Sequence, residues 1–133
     1  MKRSTLFVLG VALLAFAADV RAQGVDGTRP LVCDLAAAAQ CEGEAACIEV
    51  TLEQINLPPV VRVDFEDRRL TEPAGERDSP ISAVEILDAV VVLQGHQNGR
   101  GWTMVVERDS GHLSATVTDD EGAFVLAGAC AAD

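Results

Sequence analysis

Between Val90 and Cys130 apolar and polar side chains alternate with a period of two, and this pattern constrains the fold more than any other feature of the chain. In "GWTMVVE", Trp102, Met104 and Val106 stand against Thr103, Val105 and Glu107. "LSATVTD" sets Leu113, Ala115 and Val117 against Ser114, Thr116 and Thr118, and "AFVLAGAC" sets Phe124, Leu126 and Gly128 against Ala123, Val125 and Ala127. A period of two is the signature of a strand with one buried face, whereas a helix would repeat at 3.6. Just upstream, "ISAVEILDAVVVLQG" carries one long strand or two short ones, with Leu87, Ala89, Val91 and Leu93 on one side.

The breaks in this pattern are turns. Asn98-Gly99 suits a type I′ hairpin, which needs positive φ at both central positions. "RDSGH" and "DDEG" supply similar turn chemistry at the next two breaks. The outcome is a β-meander. Two earlier stretches join it: "CIEVTLE" alternates Ile48, Val50 and Leu52, and "VVRVDFE" alternates Val61, Val63 and Phe65. Pro58 and Pro59 make "QINLPP" a connection, and "TEPAGERDSP" reads as the most flexible loop. Before them, "QGVDGTRPLV" reads as a flexible lead-in, and the Ala-rich "CDLAAAAQCEGEAAC" as a short helical segment capped by Asp34. The expected fold is mainly β: an antiparallel meander of about six to eight strands closing into a small barrel or a sandwich, with that short N-terminal helical segment.

The first 22 residues stand apart. Lys2 and Arg3 precede an apolar run from Leu6 to Ala17, too short to span a bilayer, and Val20-Arg21-Ala22 places small residues where signal peptidase needs them. Residues 1–22 are read as a signal peptide and residues 23–133 as a single exported domain, periplasmic or secreted. Without Lys2, Arg3, Arg21 and Asp19, the ten basic and 21 acidic residues become seven and twenty, a net charge of −13. Such a charge repels phosphate backbones and anionic headgroups, so nucleic acid and membrane surfaces are not expected partners. The protein partner it would suit is a cationic one.

All four cysteines lie in the exported part, and an oxidising compartment favours disulfides. Four cysteines allow three connectivities. Cys130 ends the last strand and must reach back to the N-terminal segment, so the expected pairs are Cys33–Cys130 and Cys41–Cys47. In a chain-entropy treatment these are worth roughly 4–5 and about 2–2.5 kcal/mol. They would matter, because the exported part has no tyrosine, only two of the four phenylalanines, and one tryptophan. Its core must be built from smaller residues, which bury less area.

Chemistry is harder to find. His96 and His112 belong to consecutive turn regions, which a meander places at opposite ends of the sheet, on the order of 20 Å apart. They are read as turn residues rather than a shared metal or proton site. Ser110-Gly111-His112 lacks the G-x-S-x-G of a nucleophile elbow. "TDDEG" lacks the alternating acids and distal Glu of a calcium loop, and the cysteine spacing is wrong for zinc. Arg62, Arg68 and Arg69 sit among Asp64, Glu66 and Asp67 as local ion pairs. No P-loop or dinucleotide fingerprint is present, so no catalytic residue, metal site or cofactor is expected. Trp102 is read as a core or barrel-end plug, with the lining of a ligand cavity as its alternative role.

Over most of the exported part, "LQGHQNGRGWTMVV…SGHLSATV…GAFVLAGAC" with "VCDLAAAAQC…C" resembles a loose group of small exported bacterial proteins of unassigned function, disulfide-bonded and mainly β. The resemblance carries hairpin and disulfide features and implies no catalytic residue. In architecture the chain is also similar to small disulfide-bonded periplasmic barrels that inhibit lysozymes, although their inhibitory loop motifs are not evident here. The expected function is a non-catalytic protein-binding or inhibitory module. The alternative is a small β-barrel carrier of an apolar small molecule.

Overall fold

A computed structural model describes residues 24–74 and 77–133; the signal peptide expected over residues 1–22 lies outside them. The described chain forms nine strands: β1 (Leu31–Cys41), β2 (Ile48–Val50), β3 (Val60–Asp64), β4 (Arg69–Thr71), β5 (Asp78–Ile86), β6 (Val90–Gln97), β7 (Arg100–Glu107), β8 (His112–Thr118) and β9 (Ala123–Ala132). Every pairing is antiparallel. From β3 to β9 each strand pairs with the next, and β1 pairs with both β3 and β9, so these eight strands close a barrel. β2 lies outside it, paired only with the upper half of β1 at Ala38–Gln40. Of the two closures expected, the barrel is the one adopted.

Alternation along the strands sorts the residues as their pattern requires. Leu113, Ala115 and Val117 of β8 face inward and are buried, while His112, Ser114, Thr116 and Thr118 face outward and are exposed. Val91 and Leu93 of β6, Met104 and Val106 of β7, and Phe124 and Leu126 of β9 complete the same interior. "ISAVEILDAVVVLQG" resolves into β5 and β6 with a turn at residues 87–89, which leaves Leu87 exposed. Asn98 and Gly99 take φ of 52° and 79°, as a type I′ turn demands.

Three expectations are corrected. The Ala-rich segment from Asp34 is not helical: up to Cys41 it lies in β1, paired with β9 apart from a bulge at Ala36 and flanked on its other side by β3 or β2, and residues 42–47 are a turn and its continuation. Alanine has the highest intrinsic helix propensity, but propensity is a weak determinant, and ladders on both flanks outweigh it. The lead-in at residues 24–30 is not a loose tail. Val25 is buried, its amide donates to Arg108 O at 2.9 Å, and Arg108 Nε donates back to Val25 O at 3.1 Å. Asp26 fixes its shape by accepting the Thr28 and Arg29 amides at 2.8 and 3.0 Å. In "CIEVTLE" only Ile48–Val50 is strand, and Ile48 is 61% exposed, because β2 runs past the barrel and not within it.

The cysteines pair as expected, Cys33 with Cys130 and Cys41 with Cys47. Cys33 and Cys130 are directly opposite in the β1–β9 ladder, with Cα atoms 4.0 Å apart. They are buried inside the barrel, so this bond staples the seam where the first and last strands close the sheet. Cys41–Cys47 instead ties β2 and its approach back to the end of β1, at the surface.

Candidate functional site

The two halves of the barrel interior are filled differently. Toward the end where β1 begins, Leu31, Cys33, Val63, Val91, Leu93, Val106 and Leu113 are essentially inaccessible. Residues 24–30 close that lower end. At the other end the inward positions carry smaller or shorter groups, among them Ala115, Gly95 and Ser79, and the interior opens into a cavity of about 280 Å³. Eight strands make a barrel just wide enough for side chains to fill or for one small ligand to occupy, and the residue sizes decide which. Here the lower half is filled and the upper half is hollow.

Trp102 lines this cavity from β7, half-buried. Its cross-strand partner on β6 is Gly95. A Cβ at Gly95 would lie 2.3 Å from Trp102 Cζ2 and 2.5 Å from Pro80 O, so only glycine lets the indole lie over the neighbouring strand. The indole Nε1 donates to Ser79 Oγ at 2.9 Å. Ser79 is the buried polar residue of the described interior, 6% exposed on the inward face of β5. Apolar walls complete the cavity: Leu35, Val61, Leu70, Met104, Val117 and Leu126.

The mouth lies among the upper loops. Residues 51–59, between β2 and β3, fold over it, with Ile55 4% exposed and Leu57 and Pro58 facing the cavity. Two arginines clasp this segment by its backbone. Arg100 Nη1 donates to Ile55 O at 3.2 Å, and Arg77 Nη1 donates to Asn56 O at 2.9 Å. Each arginine is also ion-paired, Arg100 with Asp119 at 3.1 Å and Arg77 with Glu72 at 3.1 Å. Arg69 pairs with Asp78 at the same rim. Arg100 further lies 5.4 Å from the centroid of Phe124, a cation–π distance. Among the described residues, the charges of the mouth are thus matched in pairs.

The other residues weighed in the sequence fall elsewhere. His96 lies within β6 rather than in the turn, two positions before Asn98 and paired with Gly101 of β7, and is exposed. His112 opens β8 at the lower end, also exposed, so the structure does not bring the two together. Ser110 Oγ donates to Glu107 Oε2 at 2.7 Å and accepts the His112 amide at 3.0 Å, both bonds within one turn. The carboxylate of Asp119 in "TDDEG" is occupied by the Glu121 and Gly122 amides and by Arg100. Arg62 bridges Asp64 and Asp133 on the outer wall. Among the described residues no three His, Cys, Asp or Glu side chains gather as metal ligands would.

Sequence reasoning had weighed Trp102 but passed over Ser79, Gly95, Arg77 and the segment over the mouth. A signal for Gly95 was available: a glycine at an inward position of a strand marks a close approach. Ser79 could be placed inside only once the register of β5 was known. The chain matches no protein-family model, and searches of curated proteins and of solved structures found no match either.

Proposed function

We propose that this protein is an exported, non-catalytic carrier that holds one small apolar molecule in the upper half of its barrel. The observation that carries this reading is the 280 Å³, mainly apolar hollow bordered by Trp102 above the inaccessible side chains of the lower barrel. Empty apolar space is costly, on the order of 24 cal/mol per Å³ where it is made by truncation, so a hollow of this size at a barrel mouth suits a binding role. About 150 Å³ suffices for benzene, which makes a two-ring compound or a short acyl chain a reasonable occupant. Export is supported by the signal-like residues 1–22 and by two disulfides, which persist in oxidising compartments. The outer face of β8 is polar, with His112, Ser114, Thr116 and Thr118 exposed.

Trp102 is the only tryptophan and there is no tyrosine, so intrinsic fluorescence reports on the cavity alone. Titration with naphthalene should shift and saturate the Trp102 emission at one equivalent. Ala115→Leu, which fills the hollow, should abolish the response while leaving the fold intact by circular dichroism. No response to a panel of neutral apolar probes, or an undiminished one in Ala115→Leu, would refute the carrier reading.

A second reading, a module for binding a cationic protein, is favoured by one specific observation. Glu42, Glu44, Glu49 and Glu53 are all exposed around β2, and among the described residues none is ion-paired. Association by this surface should weaken steeply as salt rises; salt-independent binding to a basic partner would count against it.

A further inference from the structure

We infer that the cavity selects a neutral ligand with one hydrogen-bond acceptor, read by the hydroxyl of Ser79. This rests on the carrier reading and names the ligand class for the same site. Ser79 Oγ accepts the proton of Trp102 Nε1, and a hydroxyl that accepts one bond still has its own proton to donate. Among the described residues that proton has no protein acceptor, and Ser79 is 94% buried against the cavity, since it is 6% exposed. With its acceptor side taken by the indole, the hydroxyl keeps a donor that can turn into the cavity, and a ligand carbonyl or ether oxygen would accept it.

Charge is excluded by the mouth. Arg100 is matched by Asp119, Arg77 by Glu72 and Arg69 by Asp78, and among the described residues no charged side chain of the cavity lining is left over to receive a ligand ion. An anionic or cationic head would either break one of these pairs or be desolvated without a counterion, and both outcomes cost more than they return. The indole supplies the complementary surface. It is held over Gly95 on one side and borders the hollow with the rest, so a planar ring system can lie against it. An apolar body of about two rings, a single acceptor and no net charge therefore fit the site together.

The test is equilibrium dialysis of the mature, disulfide-bonded protein against three probes of similar size. Coumarin is neutral with a carbonyl acceptor, naphthalene has no acceptor, and 2-naphthoate is charged. Coumarin should bind about three- to tenfold more tightly than naphthalene, the range one net hydrogen bond gives, and 2-naphthoate more weakly than either. Ser79→Ala should bring coumarin down to naphthalene while leaving naphthalene unchanged, and Ser79→Thr, which keeps the hydroxyl, should restore the preference. Trp102→Phe should keep the preference because Ser79 remains. Equal binding of coumarin and naphthalene to the native protein would overturn this inference and leave the carrier reading standing. So would a preference that survives Ser79→Ala, or a preference for 2-naphthoate. Binding of none of the three would overturn both.

Discussion

Replacing both seam cysteines, Cys33→Ala with Cys130→Ala, should destabilise the protein about twice as much as replacing Cys41 and Cys47 in the same way. The seam bond spans 97 residues of sequence and the surface bond spans six. In the chain-entropy treatment the first restrains the unfolded chain by about 4.7 kcal/mol and the second by about 2.4 kcal/mol. The native state adds to the difference. Cys33 is fully buried and Cys130 nearly so, so removing their sulfurs also loosens the join between β1 and β9, whereas Cys47 is exposed. For a domain of this size the unfolding entropy is roughly 0.23 kcal/mol per kelvin, so the losses correspond to about 20 °C and about 10 °C in Tm. Domains of this kind have about 5–15 kcal/mol in total, so the seam variant stands near the edge of folding. Urea unfolding followed by Trp102 fluorescence and by far-ultraviolet circular dichroism measures both variants on one scale. The seam reasoning fails if the two double variants lose equal stability, or if the surface pair proves the more costly.

Gly95→Ala should cost about 1–3 kcal/mol and shift the Trp102 emission, because the new methyl group meets both the indole and Pro80 O at under 3 Å; an unchanged spectrum would show that the indole is not held there. Arg77→Ala and Arg100→Ala should each release the backbone of residues 51–59 and speed the exchange of a bound probe in stopped-flow fluorescence, with little change in wall contacts; exchange at the native rate would show that this segment does not gate the mouth. The Arg29 and Thr28 backbone amides, then the Thr28 hydroxyl and Arg29 guanidinium, hold the Asp26 carboxyl well below its ordinary 3.8. A depressed carboxyl contributes its stability above its unfolded value and loses it as pH falls through the folded one, so the stability gap between native protein and Asp26→Ala should be constant above about pH 4 and narrow below it. A gap unchanged down to pH 2 would contradict this.

Much of the barrel could be read in the sequence because its evidence is local. Alternation in β6 to β9 and the Asn98-Gly99 turn act between near neighbours, and the meander follows from them. The cysteine pairing was also accessible, since a last strand can meet only a few partners. What misled was whatever depends on distant pairing. Ala36 to Ala39 carry no period-two signal of their own; Ala37 to Ala39 are strand because they pair with β9, Ala38 and Ala39 with β2 as well, and Ala36 is carried between as a bulge. Val25 is apolar in a Gly-, Asp- and Pro-containing stretch, and only the turn at Arg108 gives it somewhere to be buried. In the site, Trp102 was recognisable as an inward residue of an alternating strand. Ser79 was not, because β5 contains a register shift between Ile81 and Ala83 that breaks its parity.

Barrel closure and cavity are connected through the composition. Strand number sets the width of an eight-stranded barrel, so the interior must be filled to a given volume whatever the residues available. With one tryptophan and few phenylalanines, large branched side chains can fill only part of that volume, and here they are concentrated in the lower half with the seam disulfide and the N-terminal segment. That division lets the lower half supply the packing that keeps the sheet closed. The upper half, with Ser79, Gly95 and Ala115 at its inward positions, can then remain hollow without the barrel collapsing on itself. The single tryptophan is placed at the boundary, where it covers a glycine on one side and borders open space with the rest. Stability and the proposed recognition thus draw on different layers of one barrel, so a change that fills the hollow should strengthen the fold while it removes the proposed binding site.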